Sequence, residues 1–428
     1  MAHLTRGDLL PRIVHPPPGP ASRRLSRLSA RFEAPGINAL DADGITLVWE
    51  EARGANVLDS DGNRYIDLTS GFGAAAVGHR HPRVVAAVRH QAGRLLHGLA
   101  DVHSHPLRVR LARELARRAP LDRPQIYFAV SGADAVEVAL KTALLVTGRG
   151  GVLAFEPAYH GLTLGALQVT SRAEFRHPFA AHFHPGVFRL PFGCPLAEID
   201  AALDLQPGVG CAIVEPVVGR EGVLLPPKGW LQNLLACCRR QRVLLIVDEI
   251  FTGFGRTGRW FVVDEEGVIP DLLCCGKALG GGLPIAAVIG SPELMSAWQS
   301  PGEALHTGTF VAHPLACAAA LAVLDVLADE RLPQRAARLG RRVERRLAGW
   351  AKRFVEVIDF RGRGLLWALE LASPDLAHQI TARILRRGIL LLVGGPAGCV
   401  LEIVPPLVIT ERQLDFSLDA IESVLAGS

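Results

Sequence analysis

Lysine is scarce in this sequence. Of 46 basic residues only four are lysines: Lys141, Lys228, Lys277 and Lys352. A general bias towards arginine explains the scarcity and leaves few lysines to assign. Any basic tail or stripe is missing too. The net charge is +4 over 428 residues with both signs scattered throughout, so no nucleic-acid partner is expected. The eight cysteines contain no Cys-x-x-Cys, and most lie in apolar runs, including the pairs Cys237-Cys238 and Cys274-Cys275. This pattern predicts buried free thiols in a reducing compartment. His103/His105 and His182/His184 have no further Cys or His at zinc-ligand spacing, so no metal site is expected. There is no apolar run of about 18 residues, and the N-terminus has no signal-peptide core. The expectation is a cytoplasmic protein without a membrane partner.

What is present is apolar patterning. Hydrophobic residues make up 49% of the chain, enough for one large and one smaller core. Residues 1–40, with Pro16-Pro17-Pro18, read as an extended arm. Residues 45–70 alternate in short runs broken at Gly54 and Asp61-Gly62, the pattern of a strand meander. A helical pattern starts at His79. The centre alternates strands and helices, with strands at Ile126–Val130, Gly151–Phe155, Cys211–Val214, Val243–Val247, Leu272–Cys275 and Ile285–Ile289. Several are continuous apolar runs, as expected for parallel strands covered on both faces. Helices fall at 134–146 and 229–240. Long helical patterns over 315–350 lead to strands Arg363–Glu370 and Val400–Val404 and helices 377–387 and 411–425. The predicted fold is α/β: an arm (1–40), a first segment of a small domain (41–75), a large domain with a mostly parallel sheet (76–315) and the C-terminal small domain (316–428).

Three segments can carry chemistry. Lys277 follows the strand DLLCC and precedes LGGGLP. Open sheets bind ligands at the carboxyl ends of their strands, and the glycines admit a planar group. Burial there would keep the amine uncharged for reaction with a carbonyl. An ordinary loop lysine is the equal alternative. The other lysines fit less well: Lys141 and Lys352 lie in helical patterns, and Lys228 is in a Pro-Pro-Lys-Gly turn. Asp248, with Glu249 after it, ends the strand VLLIV and needs a partner, either a protonated ring nitrogen or a nearby Arg. Ser131-Gly132-Ala133-Asp134 opens a helix and reads as a capping box that could also hold a phosphate. Gly253-Phe-Gly255-Arg-Thr-Gly258 matches GxGxxG, but no helical pattern follows, so a dinucleotide site is not expected.

Taken in order, SGADAVEVALKTA, Tyr159-His160-Gly161, Asp248-Glu249, CGKALGGGLP and His306-Thr-Gly-Thr-Phe310 with HPLACAAA resemble the class III aminotransferases. These are pyridoxal phosphate enzymes of fold type I. The resemblance runs from about GANVLDSDGNRYIDL to PPLVIT. It implies that Lys277 is the Schiff-base lysine and proton shuttle, and that Asp248 pairs with the pyridine nitrogen. Tyr159 would stack on the ring beside His160, Ile250 would pack beneath it, and Glu215 would support the Asp248 side. Ser131, Gly132 and Ala133 would take the phosphate together with Thr309 of the partner subunit, because the family is at least dimeric. The implied reaction is ping-pong transfer of an amino group from an amino acid or amine to 2-oxoglutarate or pyruvate. The same fold hosts aminomutases, racemases and decarboxylating transaminases, which product analysis separates. A non-enzymatic regulator would need a DNA-binding unit that residues 1–40 are too short to provide.

The substrate side departs from the family. Enzymes of 4-aminobutyrate carry Arg after Tyr-His-Gly; here the residue is Leu162, which forgoes about 1.5–3 kcal/mol with a distal carboxylate. A family Arg before the Pro-Pro-Leu segment is Glu402, and its Glu partner is Arg220. The exchange suggests a reversed switch, with Arg220 and Glu402 paired at rest and Arg220 turning to a substrate carboxylate. Two alternatives stand beside it: a static ion pair in which Glu221 takes the family Glu's place, and a Glu402 that receives a cationic substrate group. Phe72, Gly73 and Arg361 complete the candidate pocket.

Overall fold

A computed structural model describes residues 3–36, 46–99 and 101–427. At its centre is a seven-stranded sheet in the order Gln125–Ala129, Ala286–Gly290, Leu272–Cys275, Leu244–Asp248, Val209–Val214, Gly151–Glu156 and Val187–Pro191. The period-two geometry of a strand divides these apolar runs between two cores. Ile246, Cys274 and Val288 face the helix Gly132–Thr147 through Val136 and Ala139. Leu245, Val247, Leu273, Cys275 and Ile289 belong to the larger core, with Trp230, Leu231 and Leu234 of the helix Trp230–Arg240 and the buried helix Pro314–Asp329. All eight cysteines are free and seven are buried.

Six strands lie within two residues of their expected ends. The sheet is mostly parallel, as expected, with one strand reversed. Ala286–Gly290 runs antiparallel to both neighbours, Gln125–Ala129 and Leu272–Cys275. Four of the described strands were not expected: Val187–Pro191, Val357–Arg363, Ile389–Leu390 and Leu392–Gly394. Val187–Pro191 is an edge strand of intermediate burial with Arg189 at its middle, so it lacks an apolar signature. Val357–Arg363 forms a hairpin with Leu366–Leu371 where a single strand was expected.

Two smaller sheets flank the large one. In the first, the meander Trp49–Arg53, Asn56–Asp59 and Arg64–Asp67 is joined in parallel by Ile389–Leu390, so N- and C-terminal segments share one sheet. The second is the antiparallel set Val357–Arg363, Leu366–Leu371, Val400–Ile403 and Leu392–Gly394. Long helices Leu332–Arg353 and Glu411–Leu425 lie against this part. The N-terminal region is more than an extended arm. Pro20 at its first turn starts the helix Pro20–Phe32, and Arg12 bridges to Arg64. The expected boundary at residue 40 lies outside the described residues. A five-residue helix, Val262–Glu266, does follow the Gly253–Gly258 turns, but only after a further loop.

Because Gln125–Ala129 and the parallel strands point the same way, their carboxyl ends open on one edge of the sheet. That edge gathers Ser131, Glu156, Glu215, Asp248 and Lys277.

Candidate active site

Two adjoining cavities occupy this edge. The inner one, of about 270 Å³, is lined by Ser131, Gly132, Ala133, Tyr159, His160, Gly161, Leu162, Glu215, Asp248, Ile250, Phe251 and Lys277. The sequence candidates from these separate strand ends therefore converge. The outer one, of about 370 Å³, shares Tyr159, Phe251 and Lys277 and adds Phe72, Arg172, Arg220, Leu392, Val393, Gly394 and Glu402.

Lys277 follows Gly276 directly after the strand Leu272–Cys275 and has φ +41°. A lysine rarely adopts this left-handed conformation, and strain of this kind collects at functional sites. Its Nζ stands 4.1 Å from the centroid of the Phe251 ring. Burial pushes its ammonium below the ordinary 10.5, while Glu215, Asp248 and Glu402 oppose the shift. The result is an amine closer to its nucleophilic form.

Asp248 is fixed from two sides. Oδ2 lies 2.8 Å from His160 Nδ1, and Oδ1 accepts the Ile250 N–H at 3.0 Å. His160 Nε2 is buried without a partner among the described residues. Glu215 accepts the Tyr159 N–H at 2.8 Å and the Gly219 N–H at 3.0 Å, which holds the chain that carries the Tyr159 ring. Burial pushes the Glu215 carboxyl up to about 7.

The helix Gly132–Thr147 begins at Ser131, whose hydroxyl accepts the Asp134 N–H at 3.2 Å. Asp134 returns a bond to the Val130 N–H, so the capping is reciprocal but shifted one residue from a capping box. Gly132 packs closely on Ile250: a Cβ there would sit 3.0 Å from Ile250 Cγ2. The helix start thus offers backbone N–H groups at the floor of the inner cavity.

Pyridoxal phosphate matches this donor set group for group. The carboxylate Asp248, oriented by a buried imidazole, suits a protonated pyridine nitrogen. The start of a 16-residue helix suits a dianionic phosphate, and the Tyr159 and Ile250 side chains offer two apolar faces. Lys277 offers an amine suited to the aldehyde.

On the substrate side the residues divide differently. Gly73 comes close to Lys277: a Cβ there would lie 2.7 Å from Phe251 Cε2 and 3.8 Å from Lys277 Cδ. Phe72 is 59% exposed at the cavity wall, within a run of left-handed residues from Ser70 to Gly73. Arg361 stays out of both cavities. It donates to the Gly222 carbonyl at 2.8 Å and pairs with Glu370 at 2.6 Å. Thr309 lines neither cavity and is exposed. The resting ion pair between Arg220 and Glu402 is not formed. Arg220 instead lies over the Tyr159 ring at 4.7 Å and the Phe175 ring at 5.5 Å. Glu221 faces Arg172, whose Nε lies 2.8 and 2.9 Å from its two oxygens.

Sequence reasoning passed over Phe251 and Arg172. Phe251 directly follows a candidate residue and could have been found by asking what lies beside Ile250. Arg172 carries no local motif, and nothing in the chain near it signals a pocket.

The family profile "Aminotransferase class-III" matches residues 37–425. The acetylornithine aminotransferase of Methanopyrus kandleri is 40% identical over 392 residues, covering 92% of this chain and 97% of that protein. The 5-aminovalerate aminotransferase of Pseudomonas aeruginosa is 36% identical, with 87% and 92% covered. Among solved structures, the ornithine aminotransferase of Toxoplasma gondii superposes with a TM-score of 0.86 at 32% identity, covering 94% of each chain. With the site geometry, these likenesses place the chain in the class III aminotransferase family, as a pyridoxal phosphate-dependent aminotransferase of fold type I.

Proposed function

We propose that this enzyme moves an amino group from an amino acid or amine to a 2-oxo acid such as 2-oxoglutarate or pyruvate, in two half-reactions centred on Lys277. The observation that carries this reading is the shared inner cavity, in which the lowered amine of Lys277 and the buried Asp248–His160 pair line one wall system. When bound, pyridoxal phosphate supplies the carbonyl that takes up the amino group and the ring that takes up electrons as a Cα–H bond breaks. Asp248 holds the charge on the ring nitrogen, and His160 orients Asp248. Ser131, Gly132 and Ala133 anchor the phosphate end. Tyr159 and Ile250 fix the ring plane. The Lys277 amine would hold and move the proton at the reacting carbon. Glu215 holds the Tyr159 backbone.

Two copies would complete the site, with Thr309 of the partner subunit at the phosphate. Exposed Phe310 and Leu305 beside this residue, at 62% and 54%, support a covered surface there. The eight free cysteines suit a reducing cytoplasm.

Reduction of the purified, cofactor-loaded protein with borohydride tests the reading. Peptide mapping is expected to find the reduced cofactor on Lys277, and an amino donor is expected to bleach the bound cofactor's absorption in the unreduced protein. A label on any other residue, or no bleaching by any amine or amino acid, refutes it.

A further inference from the structure

The outer cavity contains a carboxyl group that makes no hydrogen bond or salt bridge among the described residues. Glu402 lies at the centre of the strand Val400–Ile403, paired with Ala368 on one side and Leu392 on the other. It is 6% exposed, and Oε1 is buried without a hydrogen-bond partner among the described residues. A buried carboxylate is costly unless something meets it, so an unpartnered one facing a cavity marks a binding position. The surroundings are shaped to keep it there. Gly394, on the neighbouring strand, has no side chain where a Cβ would overlap Glu402 Oε1.

The two guanidinium groups of the same cavity do not fill the role. Arg172 is engaged by Glu221 through Nε, and its Nη2 donates to the Gly395 carbonyl at 3.1 Å. Arg220 rests on two aromatic rings and makes no salt bridge within 4.0 Å among the described residues. Lys277 also lines this cavity, so one small ligand can meet Glu402 and Lys277 together.

Resting on the aminotransferase reading above, we infer that Glu402 selects an amino donor bearing a second ammonium group, an α,ω-diamine or diamino acid, with one nitrogen at Lys277 and the other on the Glu402 carboxylate. Arg220, free of any carboxylate, leaves room for the carboxylate of a diamino acid beside that distal ammonium. The titration of Glu402 fits this role. Burial pushes its carboxyl up to about 8, with Arg220, Lys277 and Arg172 pulling it down and Glu221 pushing it up. Near neutral pH it holds its proton until a cation arrives, and an ammonium then displaces that proton. A carboxyl-bearing ligand would instead be met by the protonated acid, with no proton released.

Two measurements on the cofactor-loaded protein test the inference. In the first half-reaction, 1,5-diaminopentane is expected to exceed pentylamine in kcat/KM by about tenfold or more, and Glu402→Gln is expected to bring the ratio towards one. Gly394→Ala, which crowds the same carboxylate, is expected to lower the ratio as well. In the second, the borohydride-reduced protein is titrated calorimetrically with 1,5-diaminopentane near pH 7 in buffers of different ionisation heat. Release of close to one proton is expected, and none in Glu402→Gln. Equal ratios in the native and Glu402→Gln proteins, or binding without proton release, overturn the inference. If monoamines or amino acids bleach the cofactor while the diamine has no advantage, this inference alone falls. If no donor bleaches it, the aminotransferase reading falls, and the calorimetry still decides the role of Glu402.

Discussion

Asp248 Oδ2 lies 2.8 Å from His160 Nδ1, and the two side chains are 4% and 0% exposed. The pair is shut away from water, so each side chain fixes the orientation of the other. The contact fixes the direction in which the Asp248 carboxyl group is turned, as suits a partner for a ring nitrogen. Asp248→Asn is expected to slow the half-reaction roughly hundredfold or more, the effect of leaving a buried cation unpaired. His160→Ala is expected to slow it about tenfold, since Asp248 keeps only the bond from Ile250. Stopped-flow bleaching of the bound cofactor measures both. A His160→Ala loss as large as that of Asp248→Asn would make the imidazole more than an orienting group.

Phe251 is held between two glycines. A Cβ at Gly219 would overlap Phe251 Cδ1, and one at Gly73 would approach Cε2 to 2.7 Å. Gly219→Ala is therefore expected to destabilise the protein by about 1–3 kcal/mol through overpacking, with the ring pushed towards Lys277. Phe251→Leu in the same chain is expected to recover part of that loss. Urea unfolding of the single and double variants reads the coupling. Simple additivity would show that the ring is not the obstacle.

Leu162 lines the inner cavity and is 50% exposed. Leu162→Arg would place a guanidinium where a distal carboxylate could pair with it. About tenfold higher kcat/KM for 4-aminobutyrate is expected, with little change for pentylamine. Equal gains for both amines would trace the effect to something other than charge.

The buried carboxyls give stability a pH dependence of definite sign. Burial pushes Glu215 and Glu249 up to about 7 and Glu402 up to about 8, from an ordinary value of 4.5. Between these values the folded chain holds protons that the unfolded chain has lost. Stability therefore falls as pH rises from about 4.5 through about 8. The urea midpoint of the cofactor-free protein is expected to be higher near pH 6 than near pH 8.5. Glu402→Gln is expected to flatten the upper part of this fall. A wild-type midpoint that rises over the same range would contradict the burial assigned to these groups.

Much of the scaffold was legible because fully buried strands must be apolar on both faces. Leu272–Cys275 and Val209–Val214 have every residue buried, and they stand out in the chain. Val187–Pro191 did not, because an edge strand exposes one side and carries arginine. Strand direction was legible for the parallel set but not for Ala286–Gly290, which is as apolar as its neighbours yet runs against them. At the site, Lys277, Asp248 and Gly132 were recognisable because their chemistry demands particular residue types at strand ends and helix starts. The substrate side was less so. The exchanged charges at 220 and 402 suggested a mutual pair, but Arg220 finds aromatic rings instead, a choice made by side chains distant in sequence.

Phe251 borders both cavities, so a single benzyl group partitions the place of chemistry from the place of recognition. A short donor fits on one side of that partition and is judged only by its reacting end. A longer donor must bend past the ring edge before its far end can be read at all. If donors of different length pass this ring, shaving or enlarging the Phe251 side chain should change which chain length is accepted.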